Sequence, residues 1–372
     1  MTTLTERALN RALLHRQGLL QRSAADPEQL LDRLVGMQAQ APLAPYVAMW
    51  SRLTDFDPGR LSTLVSTRRV ARTWLMRGTV HLVTAGDARA LAPVFAPVLR
   101  RTYHSSFPTA RDIPADEVVA EGAAMLAEAP RTRAELGRRL RERWPEHDPG
   151  AMAYAVTYSL PLVHVPPRGL WGTTGPVSLA LLDDWVPATT APLGDRSPVT
   201  ALERVVERYL AAFGPASTAD VQAWSGLSGL AEVVDGMRAE LRDMRSEAGE
   251  RLWDVPAGHV PDGDVPAPVR FLAEYDNVLL AHRRRARINP LGRRVPLPPG
   301  NGARAGTVLV DGTYQADWSL DARGPDLATL TVRAFGNVPA ARQVELEEEG
   351  HRLLGLVAPG PGARQVKLVD GE

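Results

Sequence analysis

The chain has 372 residues, 44% of them hydrophobic and 23% charged, with 43 Lys+Arg balanced by 43 Asp+Glu. That is length for two or more domains with proper cores, it argues against disorder, and it leaves no global field to draw a polyanionic partner. There is no cysteine, which excludes disulfides, thiolate zinc sites and cysteine nucleophiles, and Lys367 is the one lysine, so almost no amine is on hand for Schiff-base chemistry.

The opening Met1-Thr2-Thr3-Leu4-Thr5-Glu6-Arg7 has no apolar core of a secretion signal, and no run of about 18 apolar residues suggests a membrane span. The expectation is a soluble, cytoplasmic monomer. Asp26-Pro27-Glu28 reads as an N-cap with proline at the first helical position, opening a helix through about residue 37. Pro45 opens the next, over 46–53. The period then changes to two: 70–76 and 80–84 are β-rich runs around the short connection Arg77-Gly78-Thr79. Helices followed by a hairpin describe a winged helix.

The pattern recurs. Thr132-Arg133-Ala134-Glu135 is a capping box at the head of a helix over 134–143. A strand over 162–165 and the turn Pro166-Pro167-Arg168-Gly169 lead to a second strand with Leu170 and Trp171. A third copy starts at Ser197-Pro198 with a helix to 210. Ser217 and Thr218 cap a helix over 219–224, Ser225-Gly226-Leu227 turns the chain, a helix follows over 229–241, and Arg251-Leu252-Trp253 is a last short strand. Beyond Val255 proline and glycine rise, and strands such as 307–310 and 328–332 point to a small β-barrel. The loop 296–306 reads as mobile, and Glu345-Leu346-Glu347-Glu348-Glu349 as part of a solvated helix. The fold class expected is mainly α with β wings, arranged as winged helices over 1–114, 115–192 and 193–255 and a β-barrel over 256–372.

Two amides stand out in Gln38-Ala39-Gln40. On a helix, positions i and i+2 diverge by roughly 200°, whereas on an extended backbone they point the same way. Pro42 pushes Ala41 out of the helical region and favours the second geometry. The ordinary role of such a pair is helix C-capping and turn hydrogen bonding. Here small neighbours and two prolines would fix the backbone, with the amides facing open space near the first hairpin.

Charge is uneven locally. Nine arginines and one acid, Asp87, lie between Arg60 and Arg111, and six arginines with no acid lie between His282 and Arg294. Such clusters suit phosphate contacts, although surface ion pairs with acidic segments elsewhere would also explain them. Arg72, Arg77 and His81 from the first region, and Arg283, Arg284, Arg285 and Arg287 from the second, are assigned to DNA contact. His81, His104, His147 and His164 lack metal-ligand spacing, so neither a metal nor another cofactor is expected. No serine has a nucleophile-elbow context. Asp183-Asp184 reads as an exposed cap, and no glycine-rich phosphate loop is present.

Several segments together resemble the winged-helix DNA glycosylases of the AlkZ type, which include YcaQ-like proteins and self-resistance proteins of producers of DNA-alkylating antibiotics. They are Leu4-Thr5-Glu6-Arg7-Ala8-Leu9-Asn10-Arg11, Met37-Gln38-Ala39-Gln40-Ala41-Pro42, Arg77-Gly78-Thr79-Val80-His81-Leu82, Tyr275-Asp276-Asn277 and His282-Arg283-Arg284-Arg285-Ala286-Arg287. The resemblance implies three tandem winged helices and a C-terminal β-barrel in a C-shaped clamp. It also implies catalysis by Gln38 and Gln40 on double-stranded DNA carrying alkylated purines. The competing expectation is a non-catalytic winged-helix regulator, which would bind specific sequences and release no base.

Overall fold

The structure, a computed structural model, describes residues 2–187, 200–295, 305–322, 327–360 and 362–371. It opens with β1 (Thr2–Leu4) and α1 (Glu6–Arg16). The order helix, short strand, helix, helix, strand, strand then occurs twice. The first instance is α2 (Pro27–Arg33), β2 (Met37–Gln38), α3 (Ala44–Arg52), α4 (Pro58–Ser66), β3 (Val70–Trp74) and β4 (Val80–Thr84). After the long α5 (Ala85–Ser106) comes the second: α6 (Ala115–Glu128), β5 (Arg131–Thr132), α7 (Arg133–Arg143), α8 (Pro149–Ser159), β6 (Leu162–Val165) and β7 (Ser178–Leu181), closed by the single turn α9 (Leu182–Trp185). A third follows with α10 (Ala201–Phe213), a lone bridge residue Ala216, α11 (Thr218–Ser225), α12 (Leu230–Gly236), β8 (Arg242–Ser246) and β9 (Arg251–Asp254). In each, the short strand pairs with the last one: Gln38 opposite His81, Arg131 opposite Leu179, Ala216 opposite Trp253.

Local chemistry sets most of these starts. Capping boxes stand at Asp26/Gln29, Thr132/Glu135, Thr200/Glu203 and Ser217/Asp220, each satisfying backbone N–H groups the first turn leaves orphaned. The third-copy helix begins at the Thr200 cap; the expected start at Ser197-Pro198 lies outside the described residues. Two ends depart from expectation. The helix opened by Asp26 stops at Arg33 because Val35 (φ +56°) and Gly36 (φ +89°) turn left-handed. A Cβ at Gly36 would lie 2.4 Å from Val83 Cγ1 and 2.7 Å from the Leu82 carbonyl, so only glycine lets the chain pass into β2. That stop is what puts Gln38 on a strand. Likewise α12 ends at Gly236, not 241, and the chain turns into β8, where Met244 is buried.

Leu170 and Trp171 form no strand. The partner of β6 is β7, reached after left-handed Gly169, Gly172 and Gly175. Adjacent sheets fuse through Arg72 opposite His164 and Thr73 opposite Val163, giving six strands in the order β2-β4-β3-β6-β7-β5. Strand β1 pairs in parallel with β8, so the first residues belong with the third repeat's sheet and not with the first repeat.

The C-terminal part is an open five-stranded sheet, not the expected closed barrel. Strands β10 (Arg270–Ala273), β11 (Ala305–Val310), β12 (Thr313–Asp321), β13 (Leu327–Ala334) and β14 (Ala363–Asp370) run in sequence order, with β10 and β14 at opposite edges. The reason is α13 (Ala340–Val357). It connects β13 to a parallel β14 and buries Leu346, Leu353 and Leu354, covering a face that closure would otherwise bury. The run 345–349 is helical as expected, but Glu349 is buried and pairs with Arg22, with Arg352 at 3.1 Å and with Arg270 at 3.7 Å. Of the loop 296–306, residues 296–304 lie outside the described residues, and Ala305 and Gly306 open β11. Hydrophobic residues on one face of the six-stranded sheet (Met37, Trp74, Leu82) share a core with the C-terminal sheet (Phe271, Trp318, Leu346). Those on the other (Leu75, Val83, Val163) share one with the third repeat (Tyr209, Phe213, Trp224). Among the described residues no helix is long and apolar enough to cross a membrane.

Candidate active site

The two amides converge on the β3–β4 hairpin. The strand geometry of β2 and the bond from the Ala39 N–H to the Val80 carbonyl (2.7 Å) lay this segment along β4. Gln38 Oε1 accepts from Arg77 Nη2 at 2.8 Å, and Gln40 Oε1 accepts from the Val80 backbone N–H at 3.3 Å. Neither side-chain NH2 has a partner among the described residues. Each amide is therefore held by its oxygen, with two free donors and one remaining acceptor lone pair. Gln40 is exposed. Gln38 does not face open space as expected: it is 7% exposed, and it borders a cavity of about 10 Å³ shared with Arg52, Glu274, Tyr275, Asp276 and Asn277. That is the lower limit for one water.

The wall behind Gln38 joins the end of α3 to the C-terminal part. Asp276 and Arg52, each with a side chain 2% exposed, form a two-pronged pair at 2.8 Å and 2.8 Å. Asp276 also caps the 277–279 turn through the Val278 N–H, and Asn277 Nδ2 donates to the Gly36 carbonyl at 3.3 Å. Tyr275 sits at φ +59° in this tight passage.

The residues assigned to DNA contact divide. Arg72 is 3% exposed and donates to the carbonyl of Ala39 at 2.8 Å, so it supports the segment between the glutamines and meets no phosphate. Burial, then Arg168, lowers its pKa to about 10. His81 is fully buried; its Nδ1–H donates to the Thr79 carbonyl at 3.0 Å, and burial, then Arg77, lowers its pKa to about 3. It is neutral and unavailable as a cation. Arg77 bridges Gln38 and the Trp224 carbonyl. Arg287 is buried, donating to the Pro215 carbonyl at 2.8 Å. Arg283, Arg284 and Arg285 are exposed, with Glu250 4.0 Å from Arg284. Arg285 lies close enough to Arg77 to depress its pKa, after burial, to about 10. In the other cluster, Arg60, Arg69 and Arg89 pair with Asp26, Glu28 and Asp183. For those three the ordinary ion-pair explanation holds. Among the described residues no group of three or more His, Asp or Glu side chains could hold a metal.

Sequence reasoning missed Arg77's place as the link between Gln38 and α11. The left-handed run at Arg77 (φ +56°) and Gly78 (φ +69°) is the trace it leaves.

Three histidines titrate out of range. His81 and His282 are lowered to about 3 and His164 well below 6.5, in each case first by burial. A neutral buried histidine gives stability that is complete above its unfolded pKa and is lost as pH falls from about 6.5 toward its folded value. Lowering pH from 7.5 to 5 should therefore remove on the order of 2 kcal/mol per such group. The urea midpoint should drop over that interval; a constant or rising midpoint would refute the assignment.

Comparison with known proteins narrows the class. A family model described as DNA glycosylase AlkZ-like matches residues 31–356, which takes in the amide pair, the hairpin and the Arg52–Asp276 wall. The chain belongs to the AlkZ-like DNA glycosylase family. It is similar to the interstrand DNA cross-link repair glycosylase of Streptomyces sahachiroi, 25% identical over 296 residues that cover 72% of this chain and 74% of that protein. Its fold is similar to that of the solved Streptomyces sahachiroi DNA glycosylase AlkZ, with a TM-score of 0.74 and 22% identity, covering 99% of this chain and 100% of that one.

Proposed function

We propose that this protein hydrolyses the N-glycosidic bond of bulky, cationic N-alkylpurines in double-stranded DNA, including those tied into interstrand crosslinks, with Gln38 and Gln40 as catalytic residues. The observation that carries this is the pair of amides, both held by their oxygens against one hairpin, with neither NH2 group partnered among the described residues. Alkylation at N7 or N3 makes the purine a good leaving group. The enzyme then needs to place a water at C1′ and stabilise an oxocarbenium-like sugar; water oxygen bonds to C1′, the C1′–N bond breaks, the purine leaves neutral and a proton passes to solvent. Fixed amides can orient that water without acting as strong bases.

We read residues 27–84, 115–181 and 201–254 as three winged helices which, with the C-terminal sheet, clamp a duplex. Product is abasic DNA without a nick. An imine needs a nucleophilic amine, and Lys367, the one lysine side chain, lies on β14, paired with Thr331 and far in the fold order from β2. It is held on that strand by the ladder with β13.

The test is a duplex with one N7-alkylguanine, incubated with protein and heated in alkali. Strand cleavage only after alkali, and no protein–DNA adduct on borohydride reduction, is the expected result. Tight binding with no alkali-labile site would indicate a regulator, and a trapped adduct would overturn the hydrolytic route. A second expectation concerns the exposed arginines. Replacing Arg283, Arg284 and Arg285 with alanine should weaken binding evenly across sequences and flatten the salt dependence by about 0.9 per lost phosphate contact. An unchanged slope would place the duplex elsewhere.

A further inference from the structure

We infer that Arg77 is a positioning residue for Gln38, anchored by the third repeat; this rests on the glycosylase reading above. Arg77 touches no substrate in that scheme. Its guanidinium spans two acceptors: Nη2 reaches Gln38 Oε1 at 2.8 Å and Nη1 reaches the carbonyl of Trp224. Trp224 stands in the last turn of α11, where helix carbonyls lack intrahelical partners and the dipole favours a cation. The anchor is rigid, because the Trp224 ring is fully buried against Tyr209 and Phe213.

The backbone that carries Arg77 is fixed from several sides. Leu75 and Thr79 close the hairpin tip through an N–H···O bond of 3.1 Å, and Gly78 N–H reaches the Leu75 carbonyl at 3.0 Å. A Cβ on Gly78 would lie 2.6 Å from Thr102 Oγ1, and one on Gly226 would lie 3.2 Å from Arg77 Cα. Both glycines allow close approach of α5 and α11 to the tip. Arg77 itself adopts φ +56°, a conformation that costs energy for a non-glycine residue and is retained because its surroundings determine it.

The chemical effect is on the amide. A free glutamine amide can rotate and present either end. A guanidinium bonded to the oxygen fixes that end inward and leaves the NH2 directed elsewhere, and it strengthens those N–H donors by polarising the amide. Lysine could not substitute, since one ammonium lacks the planar fork that meets both acceptors. Excision would thus depend on a contact from α11, more than 180 residues along the chain from β2.

The test is a double-mutant cycle in single-turnover excision from the N7-alkylguanine duplex. Arg77→Ala should slow excision by about 10²-fold, the scale of a misplaced catalytic group, while affinity for undamaged duplex stays within about twofold because no phosphate contact is lost. The Gln38→Ala, Arg77→Ala double variant should be no slower than Gln38→Ala alone, since the second change acts only through the first. Added guanidinium should restore part of the rate to Arg77→Ala and none to the double variant. Arg77→Lys, which keeps charge and stem, should also be slow, and it serves if the alanine variant does not fold. Losses that multiply in the double variant, or rate and affinity falling together, would overturn the positioning role with the glutamine site intact. A wild-type rate in Gln38→Ala would overturn the glutamine site as well.

Discussion

Replacing Asp276 with alanine is expected to destabilise the protein by about 3–5 kcal/mol, read as a lower urea midpoint. The pair it breaks is closed from solvent on both sides, with two bonds of 2.8 Å and a guanidinium that also donates to the Ala48 carbonyl at 3.0 Å. Removing the carboxylate strands Arg52 as a buried charge without its counter-ion, and that cost is mostly desolvation no longer offset. Changing Arg52 to methionine in the same chain should recover much of the loss, because an apolar side chain in that place carries no such penalty. A double variant less stable than Asp276→Ala would show that Arg52 is not stranded by the loss of the carboxylate and stabilises through its bonds to Ala48 and Gln17. The local consequence differs from the global one: Asp276 also holds the Val278 N–H, so the wall behind Gln38 should loosen in either case.

The parts of this architecture governed by short-range chemistry were legible. Thr132 with Glu135 and Ser217 with Asp220 start helices because a side chain three residues away satisfies the first turn. Likewise Arg77-Gly78-Thr79 joins two β-rich runs around Gly78, whose φ of +69° is one that glycine adopts without steric cost. Extended geometry at Gln38 also followed from local cues, although it is Gly36 packed on Val83, and not Pro42 alone, that ends the helix. The sequence could not say which arginines face water. Strand β3 lies inside a six-stranded sheet covered on both faces, so Arg72 is buried along with its neighbours. That fusion depends on β3 meeting β6, a pairing no local pattern encodes. The same holds for the C-terminal sheet. Alternating burial in β12 and β13 fits an inward and an outward face, but whether the edges meet is decided by α13 docking on one face.

Gln38→Ala and Gln40→Ala should each slow single-turnover excision, by up to about 10²-fold, the upper part of what one positioned group contributes. That corresponds to about 2.7 kcal/mol of transition-state stabilisation. The two changes should differ in their side effects. Gln38 is nearly buried and is the acceptor of Arg77, so its loss leaves a desolvated guanidinium with one partner fewer and should also cost stability. Gln40 is exposed and gives up only a 3.3 Å contact to the Val80 N–H, so its variant should melt like the wild type. Affinity for undamaged duplex should hardly move in either, because neither amide carries charge and counter-ion release is set by the arginines. The rate on a neutral, unmodified purine should be negligible for every form, since an amide cannot supply the proton a poor leaving group needs. Wild-type excision by the double glutamine variant would remove these residues from the reaction, whatever else the family resemblance supports.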